Sequence, residues 1–330
     1  MSERAVLLLA SLQKRLADEG SLCINVEEAE LLCRLESRHN LDLLALARLA
    51  FAAEKNSRDV FTCAIVNAKS GRCRENCAFC AQSGHYKTNV PAYPLLSGAE
   101  LLKRALAAQE AGLDRFGIVT SGSRLSEKEF SSLLASIAMI KERVSIELCA
   151  SLGQIDQERA ERLRLAGLIR YHHNLETSAS FFPRVCGTHD YAEDLATARA
   201  AKAAGLQTCC GGIFGLGEGW AERVELSAAL TELEVDCIPI NFLNPIAGTP
   251  LQNQPLLKPQ EALRIIAVMR LMHPRRDIVI CGGRPQTLGA WQNLIFMAGA
   301  NGLMSGNYLT TPGCGPTDDR YMIEEMGLRP

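Results

Sequence analysis

The sequence predicts an α/β fold, a (βα)8 TIM-type barrel preceded by an N-terminal helical extension. Two observations carry this expectation. From residue 60 onward, eight short apolar, β-prone runs alternate with stretches of helical period. Four of those stretches end on an Ala-Gly pair just before the next run, where glycine suits a helix C-cap.

The candidate strands are residues 60–68, 115–120, 144–150, 168–174, 206–214, 236–243, 278–283 and 302–306. The helices between them are 98–111, 127–143, 156–166, 191–204, 220–233, 259–272 and 285–298, with Gly112, Gly167, Gly205 and Gly299 as the caps. A doubly wound open sheet satisfies the same alternation, because strand order is not readable from one sequence. Residues 1–57 are helical in pattern and are expected to form a cap on the barrel. In the segments 26–32 and 41–47, apolar residues recur at helical spacing. The barrel is expected over 58–312, and 313–330 reads as a loop and a short terminal helix.

The chain has 330 residues, 47% of them hydrophobic, enough for a sizeable core. A formal net charge of -2 argues against nucleic acid and anionic membrane surfaces as partners. The early apolar run 6–10 gives way to Gln13, Lys14 and Arg15, too soon for a signal-peptide core or a membrane span. A soluble cytoplasmic protein is expected. Thirteen cysteines is a high count for a reducing compartment, where clustered cysteines bind metal or do redox chemistry. Cys23, Cys33, Cys186 and Cys237 are expected to be small buried hydrophobes.

The strongest signal is Cys73-Arg74-Glu75-Asn76-Cys77-Ala78-Phe79-Cys80, directly after the first candidate strand. In a barrel, the loops after the strands form the active face. Three thiolates in one compact loop can hold three irons of a cubane cluster and leave the fourth open to a ligand. The competing readings are a zinc site completed by a distant residue such as His85, and chance clustering.

This C-x3-C-x2-C run is the hallmark of radical S-adenosylmethionine (SAM) enzymes, and the chain resembles that family. The resemblance implies a 4Fe–4S cluster on Cys73, Cys77 and Cys80, with SAM on the open iron and Phe79 beside its adenine. More narrowly, most of residues 60–312 are similar to the biotin synthase family, which inserts sulfur into dethiobiotin. The matching segments are Ala81-Gln82-Ser83, Tyr86-Lys87-Thr88, 171–178, 209–218, Pro239-Ile240-Asn241, 248–251, 298–301 and 309–312.

That likeness implies roles for particular residues. Asn174 and Asn241 would meet the ureido ring of dethiobiotin, since an amide offers both donors and an acceptor. Glu176, where the family usually has Asp, would accept the hydroxyls of a ribose. Gly212 and Ile213, in the glycine-rich strand end, would lie against the cofactor. Glycines there, with Gly211, Gly215 and Gly217, let backbone approach a ligand closely. His172 stands where the family usually has Asn, at the substrate. His189 stands where it has Arg, at SAM.

The chain departs from the family at the auxiliary cluster that donates sulfur. Cys149 and Cys209 match two of its usual cysteines, but the third falls on Gly117 and the usual arginine on Val279. Side chains alternate along a strand, so Cys281 shares a side with Val279, and Cys63 shares one with Ile65 and Asn67. Cys63, Cys149, Cys209 and Cys281 are therefore the expected ligands of a cluster that is not an ordinary 2Fe–2S site; Cys210 points the other way. The resemblance also implies a low-potential electron donor such as flavodoxin or ferredoxin, and a homodimer. The rival readings are a related radical SAM enzyme, of hydrogenase-cofactor maturase or methylornithine synthase type, and a non-catalytic metal or electron-transfer protein.

Overall fold

In the computed structural model, residues 2–54 and 59–330 are described. The expected boundary between residues 57 and 58 lies outside them. Nine strands form one all-parallel sheet: β1 (Phe61–Lys69), β2 (Arg115–Thr120), β3 (Glu147–Ser151), β4 (Arg170–His172), β5 (Gln207–Cys209), β6 (Gly212–Phe214), β7 (Cys237–Phe242), β8 (Asp277–Ile280) and β9 (Gly302–Met304). β1 pairs with both β2 and β9, and β5 pairs with both β4 and β7, so the sheet closes on itself. This is the expected eight-position barrel, and the open-sheet alternative is excluded.

The run predicted as one strand over 206–214 is two, β5 and β6, sharing one barrel position. The break falls at Cys210 and Gly211. A Cβ on Gly211 would collide with the Pro239 carbonyl, and one on Gly212 would lie 2.6 Å from the Glu176 carbonyl. These glycines are needed first for the approach of neighbouring backbone, not of a ligand. The helix expected over 285–298 is also interrupted. It ends as Arg284–Leu288 at Gly289 (φ 51°) and resumes as Leu294–Met297. The four predicted cap glycines, Gly112, Gly167, Gly205 and Gly299, all have positive φ.

Alternation along the strands divides the residues between two environments. Phe116 and Ile118 of β2 and Leu148 and Ala150 of β3 face outward. They pack with Leu101, Phe130, Leu133 and Ile137 of the surrounding helices. Gly117, Val119 and Cys149 face the barrel interior. The first three helices, α1 (Ser2–Glu19), α2 (Val26–Leu32) and α3 (Asn40–Glu54), cover the outer wall of the barrel. α3 packs on the helix Pro259–Met272, and α2 on Trp220–Glu232. The seam is fixed by Arg264, whose Nε donates to Asn40 Oδ1 (2.9 Å), and by Ile24 N–H bonding to Leu271 O (3.0 Å). None of the described helices is long and apolar enough to cross a membrane.

The C-terminal helix Pro316–Glu325 is tied to the barrel by a buried ion pair, Arg284 Nη2 to Asp319 Oδ1 at 2.6 Å, with the side chains 0% and 2% exposed. Removing one partner of such a pair leaves a charge buried without compensation. Asp319→Ala is expected to cost about 3–5 kcal/mol of stability, read as a lower midpoint in thermal or denaturant unfolding.

Candidate active site

Side chains from every barrel position line a cavity of about 340 Å³ that runs from the loop after β1 into the barrel. At the mouth, β1 gives way to the cysteine loop. Gly71 (φ 75°) and Arg72 (φ 53°) turn the chain, and Cys73 N–H bonds to Gln82 O (3.0 Å). Gln82 itself is buried, and its Oε1 accepts from Gly71 N (3.1 Å). A second loop grips the first: Ala78 N–H bonds to Val185 O (2.8 Å), Asn76 N–H to Thr188 Oγ1 (3.1 Å), and Gly187 N–H to Asn76 Oδ1 (2.9 Å). Cys80 and Phe79 reach the cavity; Phe79 packs with Phe181, Val185, Leu216 and Leu243.

The spacing of the donors bears on whether the loop suits a single ion or a cluster. Among the described residues, only Glu75, Cys186 and His189 bring three Cys, His, Asp or Glu ligand atoms all within 4.8 Å of one another. Cys73, Cys77 and Cys80 do not converge that tightly. One zinc, with Zn–S bonds of about 2.3 Å, would hold its sulfurs roughly 3.8 Å apart. His85 Nε2 lies 2.8 Å from the Arg74 carbonyl. Three thiols held wider apart on one loop fit the corners of a multi-iron cluster.

Deeper in the barrel, Cys63, Cys149, Cys209 and Cys281 line the same cavity; strand parity pointed to Cys63 and Cys281, and the family resemblance to Cys149 and Cys209. Sequence reasoning missed a fifth thiol there. Cys237 is buried, as expected, but its side chain faces the interior beside Cys209, its register partner. The signal was present: Cys237 has the parity of Pro239 and Asn241, both inward. The interaction of the two neighbouring thiols pushes Cys209 up and pulls Cys237 down. Burial pushes Cys63 up, and Cys149 up to about 11. These thiols also fail to converge within single-ion distance among the described residues. Cys210 is buried in the outer core, away from the cavity.

Two guanidinium groups stand with these thiols. Arg115, whose guanidinium lies 3.8 Å from the Phe61 ring centroid, has a buried Nη1 with no hydrogen-bond partner, and Arg170 has a buried Nε in the same state. Unpaired buried donors are costly. An anionic iron–sulfur group among the thiols would satisfy both. Neither arginine was picked out from the sequence.

Between loop and floor lie the polar residues. Asn174 Nδ2 donates to Glu176 Oε2 (3.3 Å), while its buried Oδ1 has no donor. Asn241 is already engaged: Nδ2 donates to Gly212 O (3.2 Å) and Oδ1 accepts from Gly282 N (3.0 Å). It ties β6 to the end of β8. Glu176 has φ 62°, and burial, with the nearby Asp194 charge, pushes its carboxyl up to about 8. His172 lines the cavity, and burial brings it down to about 4, so it is neutral. Ile213 lines the cavity too; Gly212 instead packs against Glu176 and Leu226.

His189 sits beside the cysteine loop. Its Nε2 meets Asp194 Oδ2 at 3.2 Å and its Nδ1 meets Glu75 Oε2 at 3.0 Å. The Asp194 bond raises it to about 10. Of the remaining cysteines expected to be buried, Cys33 is buried, but Cys23 is exposed, at the turn between α1 and α2. Cys186 is buried, yet it is no apolar filler. Its Sγ lies 3.7 Å from Cys77 Sγ, and that hydrogen bond pushes Cys77 up and pulls Cys186 down to about 5.

A closed parallel barrel whose first strand opens into a wide-set three-cysteine loop, over a thiol-lined cavity, defines a radical SAM enzyme. Residues 68–230 match the Radical SAM superfamily, and residues 239–329 match the Biotin and Thiamin Synthesis associated domain. The chain is 54% identical over 306 residues to biotin synthase of Nitratidesulfovibrio vulgaris strain Hildenborough, covering 93% of this chain and 84% of the relative. It is 52% identical over 289 residues to that of Geobacter sulfurreducens (86% and 88%). The chain belongs to the biotin synthase family. Its reaction is radical SAM-dependent insertion of sulfur into dethiobiotin, with a 4Fe–4S cluster, SAM and an auxiliary iron–sulfur cluster.

Among solved structures, the fold is shared with methylornithine synthase (TM-score 0.80, 21% identity, covering 93% of this chain and 94% of that one). It is shared also with the hydrogenase maturase HydG of Carboxydothermus hydrogenoformans (TM-score 0.83, 18% identity, 99% and 79%). At that identity the likeness concerns the barrel alone. The rival readings, including the non-catalytic one, give way to the family.

Proposed function

We propose that Cys73, Cys77 and Cys80 hold the SAM-cleaving cluster, and that the interior thiols hold the sulfur-donating one. The observation that carries this is a single cavity with a three-thiol loop at its mouth and separate thiols deeper inside. When bound, the first cluster supplies the electron that splits SAM into methionine and a hydrogen-abstracting 5′-deoxyadenosyl radical, and the second supplies sulfur. The residues of the chain bind and orient. Phe79 and Ile213 flank the adenine. Glu176, protonated by its burial, can both donate to and accept from a ribose diol. His189, held by Asp194, carries the positive charge that suits the SAM carboxylate, and Gly212 admits the Glu176 backbone beside it. Arg115 and Arg170 neutralise the auxiliary cluster.

Asn174 is the strongest candidate for the ureido ring, because its buried Oδ1 lacks a donor that a ring N–H would supply. Asn241 retains one lone pair and one N–H for substrate, and His172 packs alongside. Asn174→Ala is expected to weaken dethiobiotin binding by about 0.5–1.5 kcal/mol, more if a ring N–H is left unpaired. Equilibrium binding under anaerobic conditions measures it; affinity equal to the parent's would refute the contact.

The proposed organisation is a helical segment over 1–57, the barrel over 58–312 and a tail over 313–330. A low-potential flavodoxin or ferredoxin is the proposed electron source. All thirteen cysteines are free, which suits the reducing cytoplasm. The proposed assembly is a homodimer, which light scattering would test.

A further inference from the structure

We propose that Arg72, Arg74 and Lys87 form a docking surface for a small acidic electron-transfer protein, which delivers one electron to the cluster held by the cysteine loop. This rests on the reading of Cys73, Cys77 and Cys80 as the ligands of that cluster.

The surface is built in two layers. The cysteine loop is the inner one, and residues 83–88 fold back over it as the outer one. Ser83 Oγ donates to Glu75 O (2.6 Å), Gly84 N to Cys73 O (2.7 Å) and Thr88 Oγ1 to Ala81 O (2.6 Å). His85 Nε2 lies against Arg74 O. Gly84 is exposed, and a Cβ added there would lie 3.0 Å from the Cys73 carbonyl. At that point no side chain separates solvent from the backbone of a cluster ligand. Electron transfer weakens steeply with distance, so a donor protein gains by docking where a ligand lies this near the surface.

The charge around that point is of one sign. Between Asp59 and Glu100 the chain carries four basic residues, Lys69, Arg72, Arg74 and Lys87, and one acidic residue, Glu75, although the net charge of the whole is -2. Lys69 is paired with Glu129 (2.8 Å), and Glu75 turns to His189 (3.0 Å) and Thr188. Arg72, Arg74 and Lys87 are left exposed, with no side-chain partner among the described residues. None of the three lines the cavity, so their charge serves the outer surface and not a ligand within. An uncompensated positive surface attracts an acidic protein and speeds its encounter without demanding tight binding. That suits a carrier that must leave once it is oxidised. The step moves one electron from the carrier to the cluster, and no bond forms or breaks in it.

The test drives SAM cleavage in the reconstituted full chain with an acidic flavodoxin, reduced photochemically. The comparison is reduced methyl viologen, a small cation that a basic surface does not attract. The readout is 5′-deoxyadenosine. In the double variant Arg74→Glu/Lys87→Glu, the flavodoxin-driven rate at low salt is expected to fall about tenfold. Added salt should bring the parental rate down towards it, and the viologen-driven rate should stay parental. A parental flavodoxin-driven rate in the variant at low salt would overturn the proposal. So would an equal loss with both reductants, which would tie the two residues to the cluster and not to a partner.

Should the variant fail to take up its cluster, the parent answers by cross-linking. At low salt a carbodiimide should join the Lys87 amine to a flavodoxin carboxylate as an amide, the water lost going to the carbodiimide, as peptide mass mapping reads. Cross-links that leave Lys87 out, or none at all, would overturn the docking surface. The cluster assignment falls separately, if Cys73→Ala keeps viologen-driven cleavage of SAM.

Discussion

Alanine at Cys73, Cys77 or Cys80 is expected to abolish reductive cleavage of SAM, down to the background of cluster-free protein. The reason lies in the loop. Its three sulfurs are spread too far for one ion, and they are the only thiols the first βα loop offers to the mouth of the cavity. With two thiolates, two corners of a cubane would lack protein ligands. Cys186, whose Sγ lies 3.7 Å from that of Cys77, is near enough to stand in for Cys77, so that variant is read also in a Cys186→Ala background. The measurement is anaerobic production of 5′-deoxyadenosine with a chemical reductant. Parental production in any of the three variants would remove that residue from the ligand set. Iron in the barrel interior should survive these substitutions, because the interior thiols come from different strands and do not depend on the loop.

The barrel was legible because each of its parts leaves a local trace. Short apolar runs, helical period and the cap glycines need only neighbouring residues to be read, and all four glycines took positive φ. The breaks were not legible. The one between β5 and β6 arises from the Pro239 carbonyl pressing on Gly211, a contact between residues remote in sequence. The cysteine loop was legible for the same local reason as the barrel. Arg115, Arg170 and Cys186 were not, since their meaning lies in what they face across the barrel or across two loops. Cys237 falls between these cases. Its parity with Pro239 and Asn241 was readable, but an isolated cysteine in an apolar strand looks the same as core until Cys209 is seen beside it. Asn241 shows the converse. Its amide matched a ureido ring by chemistry, and the fold spends most of that amide on Gly212 and Gly282.

Fully reconstituted protein is expected to hold clearly more than four irons per chain, and Cys281→Ser is expected to lose part of that excess together with biotin formation while sparing SAM cleavage. The reason begins with reach. A carbon radical must meet sulfur at bonding distance, so the donor must stand across the substrate from SAM. Within this barrel that place is lined by inward strand residues, and there the chain concentrates thiols. On the family resemblance, its usual third cysteine and its arginine fall on Gly117 and Val279 in this chain. Gly117 is pressed by Ile65, whose Cγ2 would lie 3.0 Å from an added Cβ, so a cysteine there would need its neighbour to move. Cys63 and Cys281 stand in the same patch as Val279, and Cys237 joins Cys209. Arg170, and Arg115 although it is already paired with Glu147 (3.1 Å) and Asp277 (3.5 Å), each keep a buried nitrogen without a partner that could meet the cluster. A set of five thiols with two arginines can anchor a larger and more anionic cluster than three cysteines and one arginine. Cys237→Ser tests the residue the sequence did not single out, and it too should lower the excess iron. Four irons in fully reconstituted, active protein would refute the second cluster. Full iron and full biotin formation in Cys281→Ser or Cys237→Ser would remove only that thiol from the set.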